Sequence, residues 1–258
     1  MITSAQNPKL KLIRALQGRA KERREAGAFL AEGVRLVEEA QSANWPFRFV
    51  LFDETLSERG RLQVESLRSS GIEVDEVSKT LMKSLSETET PQGILAVLND
   101  FTRSVPTPGS LNFILIPDQI RDPGNLGTLL RTAAAANVQA VLLPPETTDA
   151  FAPKVVRSGM GAHFHLPIHS MTWDEIEKTA KGLQIFLAEM DGQSCWETNL
   201  RQPLALIIGG EADGASESAR RLATQKLSIP MSGNIESLNA GVAGSVLMFE
   251  VVRQRARI

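Results

Sequence analysis

Three glycine-marked loops hold the residues whose types and spacing suit chemistry on a bound ligand. The first lies in IRDPGNLGTLLRTAAAANV (120–138), after the apolar run LNFILIP (111–117) and before QAVLLP (139–144). Pro123 and Gly124 mark a turn, and Asn125 has the side chain of a helix N-cap, able to accept backbone N–H groups. Gly127 and Arg131 stand four residues apart, so a helix places them on one face, the glycine leaving room beneath the guanidinium for a ligand or another chain. Arg131 is either a functional cation or a plain surface arginine, and the run Ala133–Ala136 reads as close helix packing.

The second loop follows LALII (204–208) and carries Gly209, Gly210, Glu211 and Gly214. Paired glycines at the carboxyl end of a buried strand let a ligand approach the backbone, which is where open α/β sheets bind their ligands. Glu211 could hold a ribose hydroxyl, or simply start the next helix, where a carboxylate suits the dipole. The third loop runs from LSIPM (227–231) to Ser237, Leu238 and Asn239, which open a helix whose first turns hold Ala240, Gly241, Ala243 and Gly244. Glycine in a helix costs about 1 kcal/mol against alanine, so these positions have a packing or ligand reason.

Other reactive side chains make weaker sites. His163, His165 and His169 form an H-x-H-x3-H pattern on an expected strand, but no cysteine or acid stands at ligand spacing, so no metal is assigned. Cys195, the single cysteine, has no flanking base or cation to activate it and reads as structural. Between Lys9 and Arg24, the bases Lys9, Lys11, Arg14, Arg19, Lys21, Arg23 and Arg24 face one acid, Glu22, for a local charge of +6. That segment is either an electrostatic footprint for phosphate or a solvated helix face.

These loops need strands and helices to hold them. In the first half the pattern predicts a basic helix over 7–26, then alternating strands and helices: FLAEG, VRLVEEAQ, FRFVLFDE, SERGRLQVESLRSSG, IEVDEV, SKTLMKSL and QGILAVL. FTRSVPTPGS (101–110) breaks the periodicity and reads as a linker. The second half predicts strands at 111–117, 139–143, 163–168, 183–189, 204–208 and 226–230, with helices near 125–137, 172–181, 215–223 and 237–254. The expected division is therefore 1–100, linker 101–110, and 111–258.

The 258 residues suffice for a full core, at 42% apolar and 22% charged, with a net charge of −2 and a mean hydropathy of −0.10. One cysteine precludes an internal disulfide and points to a reducing cytoplasm. No apolar run reaches the roughly 18 residues of a membrane span, and MITSAQNPKLKL lacks a signal-peptide core.

Taken together and in order, the three loops resemble the motifs of the SpoU family of RNA ribose 2′-O-methyltransferases, members of the trefoil-knotted SPOUT superfamily. The first motif matches Asn125, Gly127 and Arg131; the second, Gly209-Gly210-Glu211; the third, Ile229-Pro230-Met231 with Ser237-Leu238-Asn239. FLAEGVRLVEEA (29–40) and ETPQGILAV (89–97) look like the family's small substrate-binding domain, so the resemblance spans nearly the whole chain. Two motifs depart from the pattern, at Ala212 where the family has glycine and at Ala240-Gly241 where it has serine or valine-serine; both changes lie at the cofactor wall.

The resemblance implies a small N-terminal α/β substrate-binding domain, then a C-terminal α/β trefoil knot with a mainly parallel sheet. It implies S-adenosylmethionine bent within the knot and S-adenosylhomocysteine as product, held by Gly209, Gly210, Ile229, Met231, Leu238 and Ala240. Arg131 then acts on the ribose hydroxyl, either as a base or by orienting it and stabilising the alkoxide. The base role is awkward for a guanidinium, which holds its proton far above neutral pH. Asn125 fixes Arg131 or the ribose, Glu211 supports its loop, and Ser237 and Asn239 hold the substrate or the cofactor loop. The basic stretch from Lys9 grips RNA, the appended domain favours ribosomal RNA, and the catalytic domain forms a homodimer whose sites use both chains. Ribose methylation of tRNA and an RNA-binding protein without catalysis remain the alternatives. A nicotinamide oxidoreductase ranks last, since no G-x-G-x-x-G loop with a following acid is present.

Overall fold

The computed structural model describes residues 1–100, 104, 107, 109–211, 214–233 and 237–256. Most of the 101–110 linker and Ala212 therefore lie outside the described residues. Two compact units are present, residues 1–101 with 151–164, and residues 102–150 with 165–258.

In the first unit, α1 (Pro8–Gln17) and α2 (Ala20–Ala26) precede β1 (Ala28–Glu32), α3 (Val34–Ser42), β2 (Phe47–Phe52), α4 (Glu58–Ser69), β3 (Val74–Glu76), α5 (Lys79–Leu85) and β4 (Ile94–Asn99). The sheet order is β1-β4-β2-β3, antiparallel except between β2 and β3. Alternation along β1 and β4 builds a core on each face. Phe29, Ala31, Ile94, Ala96 and Leu98 pack with α3 and α4 residues, while Ala28, Leu30, Leu95 and Val97 pack with Leu10, Ile13 and Leu16 of α1 and with Met82 and Leu85. The single basic helix expected over 7–26 is two helices, because Gly18 ends α1. Arg23 reaches back to satisfy the freed carbonyls, donating to Leu16 O at 2.7 Å and Gly18 O at 2.9 Å.

The second unit contains β5 (Phe113–Pro117), α6 (Pro123–Ala135), β6 (Ala140–Leu143), then, beyond an excursion that carries α7 (Pro153–Gly159), β7 (Ile168–Ser170), α8 (Trp173–Thr179), β8 (Gln184–Ser194), β9 (Leu204–Ile208), α9 (Glu217–Leu222), β10 (Gln225–Ser228) and α10 (Ala240–Arg255). Its six strands run parallel in the order β10-β8-β9-β5-β6-β7. β5 and β9 are buried throughout, as central strands of a parallel sheet covered on both faces must be.

The excursion Phe151–Phe164 belongs to the first unit. Val156 and Phe164 join the core around Phe29, and the Phe164 ring lies 5.3 Å from that of Trp45. The strand expected at 163–168 is absent: residues 162–164 form a 3-10 turn and β7 begins at Ile168, so the three histidines do not share a strand. α7 was not anticipated.

Candidate functional site

Sheet order places the loops after β5 and β9 side by side. From β5 the chain continues to β6 and β7 on one side, while β9, β8 and β10 lie on the other, and such a reversal opens a crevice at the carboxyl ends of the strands. Pro117 pairs with Ile208, and the next amide, of Asp118, donates to Ile208 O at 2.8 Å.

Asp122, and not Asn125, caps α6. Its Oδ1 accepts the Asn125 amide at 2.9 Å, and Pro123 fills the first helical position, where its missing N–H costs nothing. Asn125 thus sits inside the first turn with its side chain released for other work. Asn125 Nδ2 donates to Glu211 Oε1 at 2.7 Å. Asn239 Nδ2 donates to the same oxygen at 2.6 Å and to Asn125 Oδ1 at 2.9 Å. Asn239 Oδ1, in turn, caps α10 by accepting the Val242 amide at 3.2 Å. One residue from each of the three loops therefore meets at a single carboxylate oxygen.

Counting donors and acceptors shows what this cluster has left to offer. Asn239 has used both N–H groups and its oxygen. Among the described residues, one N–H of Asn125 and Oε2 of Glu211 have no partner, a donor beside an acceptor. Glu211 does not open the following helix, which starts only at Glu217, and its carboxylate instead faces the amino end of α10, where negative charge is favoured.

The glycines are explained by close backbone approach. A Cβ on Gly209 would fall 2.7 Å from Ala215 N, and one on Gly210 would fall 2.5 Å from Gln119 O. Gly241 and Gly244 let α10 settle on α6, against Thr128 and Leu129, and Thr132 and Ser245 share a hydroxyl hydrogen bond of 2.8 Å across the two helices. The far end of the Gly209 loop is held by Asp118, wholly buried, whose Oδ2 accepts the Ser216 amide at 2.6 Å. Its Oδ1 is buried without a partner among the described residues, and burial raises its pKa above the usual carboxylate value against the opposing pull of the Ser216 bonds.

Of the other candidates, only Ala240 bonds the cluster among the described residues. Arg131 is exposed on α6 with no hydrogen bond or ion pair among the described residues, and Ser237 is exposed ahead of α10. Ile229 and Leu238 are half-buried, Met231 is exposed, and Ala240 is buried at the start of α10 with its amide 3.4 Å from Glu211 Oε1. Ala133 and Ala136 are buried within the protomer; the outward face of α6 is Thr128, Arg131 and Ala135.

The basic segment divides in two. Lys9 bonds Glu73 Oε1 at 2.6 Å and Asp75, over the Phe49 ring, and these carboxylates outweigh partial burial to raise its pKa. Arg23 is buried in the cap of α1 described above. Lys11, Arg14, Arg19, Lys21 and Arg24 are exposed. Sequence reasoning overlooked Asp122 and Asp118, although an Asp-Pro pair ahead of a helix is a recognisable start signal.

Comparison with known proteins shows the family of the chain. Residues 112–249 match the SpoU rRNA Methylase family, and residues 7–96 match the MRM3-like substrate binding domain. The chain is 35% identical to the 23S rRNA (guanosine(2553)-2'-O)-methyltransferase RlmP of Bacillus subtilis, over 97% of this chain and 98% of that protein. It is 32% identical to the 23S rRNA (uridine(2479)-2'-O)-methyltransferase of Streptomyces viridochromogenes, over 98% and 92% respectively. It also superposes on the AdoMet-bound rRNA methyltransferase of Sinorhizobium meliloti with a TM-score of 0.85 at 28% identity, covering 99% of this chain and 98% of that one.

Proposed function

The chain belongs to the SpoU rRNA methylase family, and from that premise we propose that it methylates a ribose 2′-hydroxyl of ribosomal RNA using S-adenosylmethionine. The observation that carries the proposal is the meeting of Asn125, Glu211 and Asn239, one from each motif loop, at the carboxyl ends of β5 and β9. Residues 1–100, joined by the excursion 151–164 that the expected division leaves with the second half, serve as the RNA substrate-binding domain. The rest of 111–258 serves as the catalytic domain, with the trefoil-knot fold of the family.

Gly209, Gly210, Ile229, Met231, Leu238 and Ala240 would hold S-adenosylmethionine. The donor set fits: backbone groups at the ends of β9 and β10 suit the edge of an adenine, and half-buried Ile229 and Leu238 supply apolar walls. When bound, the cofactor supplies an electrophilic methyl group. What remains for the chain is to align a hydroxyl and to manage its proton. A ribose hydroxyl is a poor nucleophile at neutral pH, and alignment alone can contribute several kcal/mol of the barrier. The spare Asn125 N–H and Glu211 Oε2 orient such a hydroxyl, while Arg131 stabilises the negative charge that develops as its proton passes to solvent water. Ser237 holds the substrate or the cofactor loop.

Arg131 meets the cluster of a second copy in this reading. α10 exposes Val242 and Phe249, with Val246 half-buried between them, and Trp196 is half exposed nearby in the same lining. An apolar stripe of this kind on one helix and the turn beside it suits a twofold homodimer. The exposed bases Lys11, Arg14, Arg19, Lys21 and Arg24 grip RNA phosphates. No helix among the described residues is long and apolar enough to cross a membrane, and a cytoplasmic location goes with this reading.

The test uses labelled S-adenosylmethionine with unmodified ribosomal RNA and with tRNA, followed by digestion to nucleosides and mass spectrometry. A 2′-O-methyl nucleoside from ribosomal RNA alone supports the proposal; label in tRNA alone moves the substrate; binding of cofactor and RNA without transfer leaves an RNA-binding protein. The two relatives named above act on a guanosine and on a uridine, so what the family shares does not set the base.

A further inference from the structure

The turn after β6 clasps the turn after β5. Thr147 Oγ1 donates to Pro117 O at 2.9 Å, Thr148 N to Ile120 O at 2.9 Å, and Thr148 Oγ1 to Arg121 O at 2.7 Å. Across the same seam Gln119 Nε2 donates to Glu146 Oε2 at 3.2 Å. Both residues of that pair have left-handed backbone, with φ of 54° and 69°, a conformation costly for any side chain that carries a Cβ and easy for glycine. Two strained residues joined to each other, each with a long polar side chain, are unusual, and such strain persists where the surroundings impose it, commonly at ligand sites.

The strained turn borders a cavity of about 230 Å³ lined by Gln119, Ile120, Arg121, Asp122, Asn125, Gly210 and Glu211. Gln119 O presses on Gly210, where a Cβ would stand 2.5 Å away, so the turn and the Glu211 loop form one wall. The cavity is smaller than the roughly 300–1,000 Å³ of pockets that enclose a whole ligand, and suits part of a polymer. Its lining joins a guanidinium, which matches phosphate, to the spare donor and acceptor of Asn125 and Glu211. A carboxylate only accepts hydrogen bonds, so the nitrogen end of the Gln119 amide faces Glu146. The second amide N–H and the amide oxygen remain without a partner among the described residues, an adjacent donor and acceptor that match the edge of a nucleobase.

We propose that this cavity receives the nucleotide whose ribose is methylated, that Gln119 reads that nucleotide, and that Glu146 positions Gln119. The proposal rests on the methyltransferase reading above and adds the residue that selects the substrate. Relief of the strained φ is what separates a reading role from a structural one: Gln119→Gly removes both the strain and the amide.

The full-length chain, Gln119→Gly, Glu146→Ala and Glu146→Gln are compared in methyl transfer to an unmodified ribosomal RNA transcript, in S-adenosylmethionine binding by calorimetry, and in thermal melting. Gln119→Gly is expected to melt no lower than wild type and to keep its cofactor Kd, while its KM for RNA rises about tenfold or more. Glu146→Ala follows in the same direction, and Glu146→Gln, which keeps an acceptor, recovers part of the loss. Wild-type KM and kcat in Gln119→Gly overturn the proposal. A weakened cofactor Kd with unchanged RNA KM also overturns it, since the cavity would then belong to the cofactor. If the wild-type chain transfers no methyl at all, the reading of the reaction fails, and filter binding of the same transcript decides: equal affinity of wild type and Gln119→Gly rejects the cavity as a nucleotide site, and weaker binding by the variant upholds it.

Discussion

Replacing Arg131 with alanine separates function from stability. The side chain is exposed on α6 with no partner among the described residues, and arginine and alanine are both good helix formers, so the change belongs with surface substitutions of about ±0.5 kcal/mol. For a chain of this size that shifts Tm by only about 1–2 °C. Removing a group that stabilises developing negative charge costs about 2.7–4 kcal/mol in the transition state, a fall of roughly 10²–10³ in kcat. Single-turnover transfer of labelled methyl to ribosomal RNA measures the second quantity, and calorimetry with S-adenosylmethionine confirms that the cofactor Kd is unchanged. Mixing Arg131→Ala with Glu211→Ala, each inactive, then tests where the arginine acts. If it serves the neighbouring copy, random exchange leaves one intact composite site in each mixed dimer, and about a quarter of full activity returns. Full activity in Arg131→Ala alone would refute the assignment, and no recovery on mixing would place Arg131 with the cluster of its own chain.

Three further outcomes follow. Replacing Lys11, Arg14, Arg19, Lys21 and Arg24 with alanine weakens RNA binding and lowers the salt slope by about one for each phosphate no longer neutralised, whereas Lys9→Ala and Arg23→Ala lower Tm instead; filter binding across a salt series and melting curves check both, and an unchanged slope in the fivefold variant would count against the grip. Gly210→Ala drives a methyl against Gln119 O and is expected to cost about 1–3 kcal/mol, seen as a lowered urea midpoint; an unchanged midpoint would show that the turn yields freely. For Asp118 the sign follows from burial: its folded pKa is raised, so the folded state favours the protonated acid and loses stability as pH rises from the ordinary carboxylate value through the raised one. Asp118→Asn cannot ionise, so its Tm relative to wild type improves as pH rises above the ordinary carboxylate range; a relative Tm that falls with rising pH would contradict the argument.

β5 and β9 were legible in sequence because a central parallel strand is a short continuous apolar run ended by turn residues, and both are that. The three loops were legible for the same reason, as glycines at strand ends. Their convergence was not. The bonds that unite Asn125 with Glu211 and Asn239 span 86 and 114 residues of sequence, and no local periodicity reports a meeting at that distance. The same limit explains Lys9, whose neutralising acids lie on β3 and just ahead of it, and the small residues of α10, whose reason is the surface of α6. Asn125 was read as a cap because Asn and Asp suit that place equally, and the choice falls to Asp122 because Pro123 takes the first helical position. α7 went unseen since PKVVRSG is too short for a helical repeat to stand out, and its buried Val156 is matched by core residues from another part of the chain.

That excursion has a consequence for synthesis. By residue 100 every strand of the first sheet has been made, yet Phe151, 4.9 Å from Phe29 in the finished protein, and Phe164, beside Trp45, have not. At ~5–20 residues per second the growing chain carries that unfinished apolar face for roughly 3–13 s. A fragment cut at residue 100 would carry it permanently, inviting chaperones or self-association, and a free peptide of residues 151–164 would be its natural antidote. The nascent protein cannot complete its first half until it is well into making its second.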